Sequence, residues 1–473
     1  MNQASFAEPQ NNTIAITNVT VIDGNGGSPL KNATVIIEGG RISSVVVRGA
    51  SVPVGAQKID GSDKYLLPGF IDSNVHTSIY GNSKRRETVV KYGERNDELV
   101  LEFAQRQLKH GVTTVRDSYG SLLPVMKVRD QINAGKAIGP RILAAGNIVG
   151  WGGPFSLTFS MMQESELTLF QQKWNDSIAL GAGEDLADMT PDELRVAINK
   201  YLDLGPNFIK YGGTAHFRRP SLIGFSPRAQ KVIVDETHKR GLIAETHATS
   251  SESLRIAVEA GIDFIQHPEI LSRDYPEYLI KMIVDRDVVC GIRSNTFIGK
   301  PLADHKAARK AAQAAFKMAS APKTSAERRA REDRLGEPYE IQLRNAKRLI
   351  KAGCIVSIAT DNYQGKAPEF RSSPKPAYQE AGSGSILAIE GLVSLGMSEM
   401  EALVAGTKNG AIAAGGLDDF GTVEKGKAAD LVLLNKNPLD DIRNIRELSM
   451  VMMGGKIIDI KALPEKRIFY TGK

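Results

Sequence analysis

Six side chains able to bind cations or move protons occupy or close short apolar, strand-like runs. They are Asn74 and His76 in LLPGFIDSNVHTS, Lys210 in FIKYGG, His247 in LIAETHA, His267 in DFIQHPE and Asp361 in IVSIATDN. Residues two apart on a strand share a face, so Asn74 and His76 emerge side by side. An imidazole nitrogen is a good ligand for a first-row divalent ion, whereas a carboxamide oxygen is neutral and weaker. Alone, Asn-x-His reads as a strand-end pair bonded to its own backbone; the other four positions change that reading. A lysine inside an apolar strand is costly while charged, so burial favours the neutral amine, which can react with carbon dioxide. The resulting carbamate is anionic and offers two oxygens, enough to bridge two divalent ions. His247 and His267 then serve one ion, with Asn74, His76 and Asp361 around the other. Such ions acidify water, and Asp361 can accept its proton and return it to a departing amine or thiol. Left as a plain ammonium, Lys210 would instead repel cations.

The elements that must carry these groups are short strands alternating with helical stretches. Eight runs, from LLPGFID at 66 through VTTVRDS, RILAAGN, FIKYGG, LIAETHA, DFIQHPE and VVCGIRS to IVSIATDN at 355, are separated by patterns such as DELVLEFAQRQLKHG, which close on glycine. That count predicts a (β/α)8 barrel over 65–419, with a doubly wound open sheet as the alternative, and the chemistry falls at the carboxyl ends where barrels build active sites. Only seven histidines are present, and three lie on this rim. Of the rest, His110 and His238 read as helix C-terminal residues, and His216 and His305 fall in loops or helices. Both chain ends, 1–64 and 420–473, are rich in β-branched runs broken by turn residues, and each is too small to bury a face alone. They are expected to pair into one β-sandwich accessory domain. The connections Trp151–Pro206 and Gly365–Ser385 are unusually long and read as functional lids. GNGG at 24–27 lacks the helix and spacing of a phosphate loop and reads as a turn.

The 473 residues are 42% hydrophobic and 24% charged, an ordinary globular balance. The net charge of +6 is mild, and its basic residues alternate with acidic ones between Lys306 and Arg348 as solvated helix faces. No basic patch interleaved with aromatics argues for nucleic-acid binding. Cys290 and Cys354 sit in apolar runs and read as buried, inert thiols of a reducing compartment. No signal-peptide pattern opens the chain, and no run approaches the ~20 apolar residues that cross a bilayer. A cytoplasmic protein without a membrane partner is the expectation.

Taken together, PGFIDSNVH, KHGVTTVRD, FIKYGG, ETHA, IQHP, ATDN and GTVEKGKAADLVLLNKNP resemble the amidohydrolase superfamily, in its prolidase-like branch, over nearly the full length. The resemblance implies a metal-dependent hydrolase of homo-oligomeric habit, with His76, N6-carboxylated Lys210, His247, His267 and Asp361 at the metal site. Asn74 departs from the family's usual His-x-His. A small Asn-x-His group, the phenylurea hydrolases and molinate hydrolase, shares that departure, and implies cleavage of the carbonyl C–N or C–S bond of ureas, (thio)carbamates or related amides. The weaker carboxamide leads to an expectation of one tightly held ion, with the second labile or absent. Zinc, cobalt, manganese or iron all suit these ligands. Trp151, Phe155, Phe159, Met161 and Met162 on the first long loop, with Tyr211, His216 and Arg218 near strand four, are the candidate substrate contacts for a small uncharged hydrophobic molecule. Two alternatives remain: an Xaa-Pro dipeptidase or N-acyl amino acid hydrolase using Arg218 and Arg219, and a non-catalytic scaffold.

Overall fold

The structure is a computed structural model describing residues 13–470 apart from 48, 50, 81–85, 217–221, 272, 318–320, 323 and 335. Two sheets of parallel strands form its centre, one of order Asn362–Tyr363, Phe70–His76, Val112–Asp117, Arg141–Ala144, the other running from Val356–Ile358 through Val289–Ile292, Phe264–Gln266, Ile243–His247 and Phe208–Gly212 to Ile148–Val149. The sheets share two interrupted strands. Arg141–Ala144 continues as Ile148–Val149, and Val356–Ile358 continues as Asn362–Tyr363, so each sheet passes into the other at both ends. Counting each interrupted strand once gives eight staves in a (β/α)8 arrangement.

The strands are buried on both faces, with helices outside, as parallel sheets require. Local sequence sets the helix ends. Thr190 and Glu193 form a capping box with Pro191 at the first position of Pro191–Leu202, and Gly261 closes Ser251–Ala260 at φ 94°.

Both chain ends build an eight-stranded sheet, in which Tyr65–Pro68 pairs with Ile14–Val21 on one side and Leu431–Leu434 on the other. Alternate residues of these strands, including Ile14, Ile16, Val35, Leu66, Leu431 and Met452, share one apolar core. The run LLPGFID, expected to be a single barrel strand, is two elements. Tyr65–Pro68 serves the end sheet and Phe70–His76 the barrel. Gly69 joins them where a Cβ would meet Thr113 Oγ1 at 2.1 Å, so no other residue fits. Among the described residues no helix is long and apolar enough to cross a membrane.

The barrel interior is polar beneath the rim. Arg116 and Glu245, both fully buried, form an ion pair at 2.7 Å, and the guanidinium lies 4.0 Å from the Phe208 ring centre. Asp72 ties strand one to strand eight by accepting from Thr360 Oγ1 at 2.7 Å, Thr360 N at 3.1 Å, Ser385 Oγ at 2.7 Å and Asn74 N at 3.2 Å. Burial pushes this carboxyl up to about 6 against the pull of those four donors. With the folded pKa above the ordinary 3.8, its contribution to stability is complete below that value and is lost as pH rises through about 6. Asp72→Asn is therefore expected to gain about 3 kcal/mol on the wild type between about pH 3.5 and pH 8, read by urea unfolding. A difference that does not change with pH contradicts this.

Candidate metal and hydrolase site

One cavity of about 420 Å³ opens at the carboxyl ends of the strands and is lined by His76, Lys210, His247, His267 and Asp361 together with Arg293. Five of the six sequence-derived groups thus line one cavity. Asn74 is fully buried but does not line the cavity; its Nδ2 reaches Asp361 Oδ1 at 3.5 Å, a weak contact.

The donors come in two pairs. His247 Nδ1 and His267 Nε2 stand 3.1 Å apart, close to the ~3.3 Å edge of a tetrahedron built on the metal–nitrogen bonds of a zinc site. Burial holds both rings well below the ordinary histidine pKa, aided at His247 by the charges of His267, His216 and Lys210. Both are therefore neutral near pH 7, the form that ligates metals. The second pair is His76 Nε2 and Asp361 Oδ1, 2.9 Å apart. His76 Nδ1 donates to the Tyr119 carbonyl at 3.0 Å, so a neutral ring would turn a bare Nε2 lone pair toward the carboxylate. That contact requires a second proton on the ring or a cation shared by the pair. At Asp361 burial opposes ionisation, but the hydrogen bond and charge of His76, with the charges of His267 and Arg293, outweigh it and hold the carboxyl well below the usual range.

Lys210 is 1% exposed, and burial lowers its pKa against the attraction of Glu245 and Asp361. The fully buried atoms Asn74 Oδ1, His247 Nε2 and His267 Nδ1 have no hydrogen-bond partner among the described residues. The two imidazole nitrogens among them are the ones opposite the 3.1 Å pair, so a cation held by His247 Nδ1 and His267 Nε2 does not meet them, and they are left to carry the ring protons. Among the described residues no three His, Cys, Asp or Glu side chains form a ready metal shell. Each pair offers two donors, and Lys210, lining the same cavity, would add carbamate oxygens to them if it carried carbon dioxide. His267 and Asp361 both adopt left-handed φ values, of 38° and 59°.

Aromatic side chains roof the cavity. Tyr119 and Trp151 lie 5.8 Å apart, Trp151 and Phe159 5.6 Å apart, and Phe159 stacks on His216 at 4.5 Å. Trp151 is fixed by Nε1 donating to Thr214 O at 3.1 Å, and Gly212 leaves the room it needs, because a Cβ there would sit 2.2 Å from that nitrogen. Trp151, Phe159 and His216 thus line the cavity as expected.

Tyr211 does not. Strand neighbours alternate, so with Lys210 inward Tyr211 points into the helical layer, where its hydroxyl donates to Gln230 Oε1 at 2.9 Å. Tyr211→Phe is expected to cost about 1 kcal/mol of stability and leave KM unchanged, read by urea unfolding and steady-state kinetics. A raised KM would restore the contact role. Phe155 is fully buried outside the cavity, and Arg218 and Arg219 lie outside the described residues. Cys290 and Cys354 are buried free thiols.

Arg293, Tyr80, Tyr119 and Tyr363 were not singled out from the sequence. Arg293 follows strand seven, the same strand-end position that marks the others, and its Nε donates to Glu269 Oε1 at 3.2 Å while Nη1 approaches Asp361 Oδ2 to 3.7 Å.

The Amidohydrolase family profile matches residues 65–458. The solved structure of molinate hydrolase is 30% identical with a TM-score of 0.84 over 98% of each chain. That of phenylurea hydrolase B is 32% identical, also with a TM-score of 0.84, over 98% of this chain and 100% of its own. Ochratoxinase from Aspergillus niger is 24% identical over 456 residues, covering 91% of this chain and 84% of the ochratoxinase. The expected likeness to the molinate and phenylurea hydrolases is borne out.

Proposed function

Because the chain belongs to the amidohydrolase family, a family of hydrolases, we propose that it is a metal-dependent hydrolase cleaving the carbonyl C–N or C–S bond of ureas, (thio)carbamates or related amides. The observation that carries this reading is the meeting of two donor pairs and a buried lysine in one cavity. Likeness to the molinate and phenylurea hydrolases supports the substrate class.

His247, His267, carboxylated Lys210, His76 and Asp361 would hold the cation, with Asn74 behind them. Bound there, a divalent ion supplies a polarised carbonyl and more acidic water near neutral pH. The chain's own residues do the rest. Carbon dioxide adds to the neutral Lys210 amine, which loses one proton as the carbamate forms. Asp361, ionised and oriented by His76, takes a proton from the attacking water and returns it to the leaving amine or thiol. Tyr119, Trp151 and Phe159 exclude bulk water and favour an uncharged, apolar substrate.

The Xaa-Pro dipeptidase reading asks for a cation that grips the substrate carboxylate. Arg293 is at hand, but Glu269 and Asp361 already engage it. Two measurements test the assignment. After dialysis against a chelator, metal analysis is expected to find one retained ion per chain, since Asn74 weakens the position near His76; two firmly retained ions contradict that. A panel of phenylureas, thiocarbamates and acyl-proline dipeptides is expected to release aniline or thiol from the first two classes. Turnover confined to the dipeptides, or none with metal bound, overturns the proposal.

A further inference from the structure

A second cavity, of about 970 Å³, adjoins the first, and Trp151, His216 and Ile270 line both. The two differ in chemistry. The smaller holds the donor pairs, Lys210 and Arg293; the larger has Asp333 as the one carboxylate among its described lining residues and no lysine or arginine. Its mouth carries Leu157, Met161, Leu222 and Ile223, exposed by 49%, 63%, 61% and 43%. Large aliphatic side chains gathered around one opening, rather than scattered, mark a surface that a ligand covers. Tyr339 forms part of the wall, its ring held by stacking on His305 at 4.0 Å and by its hydroxyl donating to Thr296 O at 2.8 Å. The shared wall is also ordered, through the Trp151 indole bond and the Phe159–His216 stack.

We propose that the larger cavity receives a bulky apolar arm of the substrate, while the scissile carbonyl lies beyond Trp151, His216 and Ile270 in the smaller one. This rests on the hydrolase reading above and narrows its substrate class. The substrate is an uncharged amide, urea or carbamate whose arm is itself of drug-like size, such as a fused-ring aromatic or a medium-length acyl chain. A volume of this order is at the upper end of what drug-sized ligands fill, and a small alkyl or single phenyl arm leaves most of it empty. Among the described lining residues, an arm ending in a carboxylate meets Asp333 and no lysine or arginine.

The test uses anilides of acetic, hexanoic and decanoic acids together with decyl phenyl ketone, which has no scissile bond. In the metal-loaded protein KM is expected to fall about threefold per added methylene until the cavity is filled. Leu222→Asp and Ile223→Asp, at exposed positions where folding is little affected, are expected to raise KM for the decanoyl anilide at least about tenfold and leave the acetyl anilide unchanged. The ketone separates this proposal from the hydrolase assignment. With Trp174→Phe leaving Trp151 as the sole tryptophan, saturable quenching by the ketone, weakened by Leu222→Asp, supports the apolar seat even if no anilide is cleaved. Equal KM values along the anilide series, or ketone quenching indifferent to both substitutions, overturn it, even if hydrolysis itself is found.

Discussion

Lys210→Ala is expected to lower kcat/KM by at least about 10³-fold and to release the retained ion. The size follows from what the side chain would supply as a carbamate: the oxygens that complete the two donor pairs, and with them the acidified water and the polarised carbonyl. Burial lowers the amine's pKa and so favours the neutral form that reacts with carbon dioxide. The sign in pH follows. Lowering pH protonates the amine and disfavours carbamate formation, so reactivation of decarboxylated protein by bicarbonate is expected to slow as pH falls. Lys210→Arg should be no better than alanine, because a guanidinium stays protonated. Acetate is expected to restore part of the alanine variant's activity by placing a carboxylate in the vacated space. An alanine variant that keeps its metal and works within about tenfold of wild type would falsify the lysine's role.

Asp361→Asn is expected to reduce kcat by about 10³-fold while leaving the fold intact. Asp361 sits at φ 59°, a conformation that asparagine tolerates as well as aspartate, so the exchange adds no backbone strain. What disappears is the charge and the proton-accepting capacity. His76, His267 and Arg293 hold the carboxyl well below its usual range, so the base stays ionised through neutral pH and is lost only when pH falls below that range. An acid limb of kcat/KM near neutrality therefore belongs to another group. Steady-state kinetics with thermal unfolding decide the matter, and an unchanged kcat, or a loss explained by unfolding, contradicts the assignment.

Much of this site was legible because its chemistry obeys the two-residue period of a strand and the rule that barrels work at their carboxyl ends. His76, His247 and His267 stood out because the chain has few histidines, and Lys210 because a cation within FIKYGG is anomalous. The same period puts Tyr211 on the face opposite Lys210, so its closeness in sequence to that lysine is not closeness in space. Arg293 shares the strand-end position of the others, at the close of VVCGIRS, but an arginine there is ordinary until the fold brings Asp361 beside it, and Tyr80 gives no signal until the fold brings Tyr119 beside it. The split of LLPGFID was also hidden, because Leu66 and Leu67 look alike whether they face the end sheet or the barrel; the pairing with Leu431–Leu434 decides it. Asp72 was overlooked because its four donors come from three separate segments.

The central claim is that Lys210 carries carbon dioxide. Carbon-13 NMR of protein equilibrated with labelled bicarbonate reads this directly: a bound carbamate resonance is expected in the metal-loaded wild type and not in Lys210→Ala. A wild-type spectrum without that resonance, from protein that is folded, metal-loaded and active, would contradict the account.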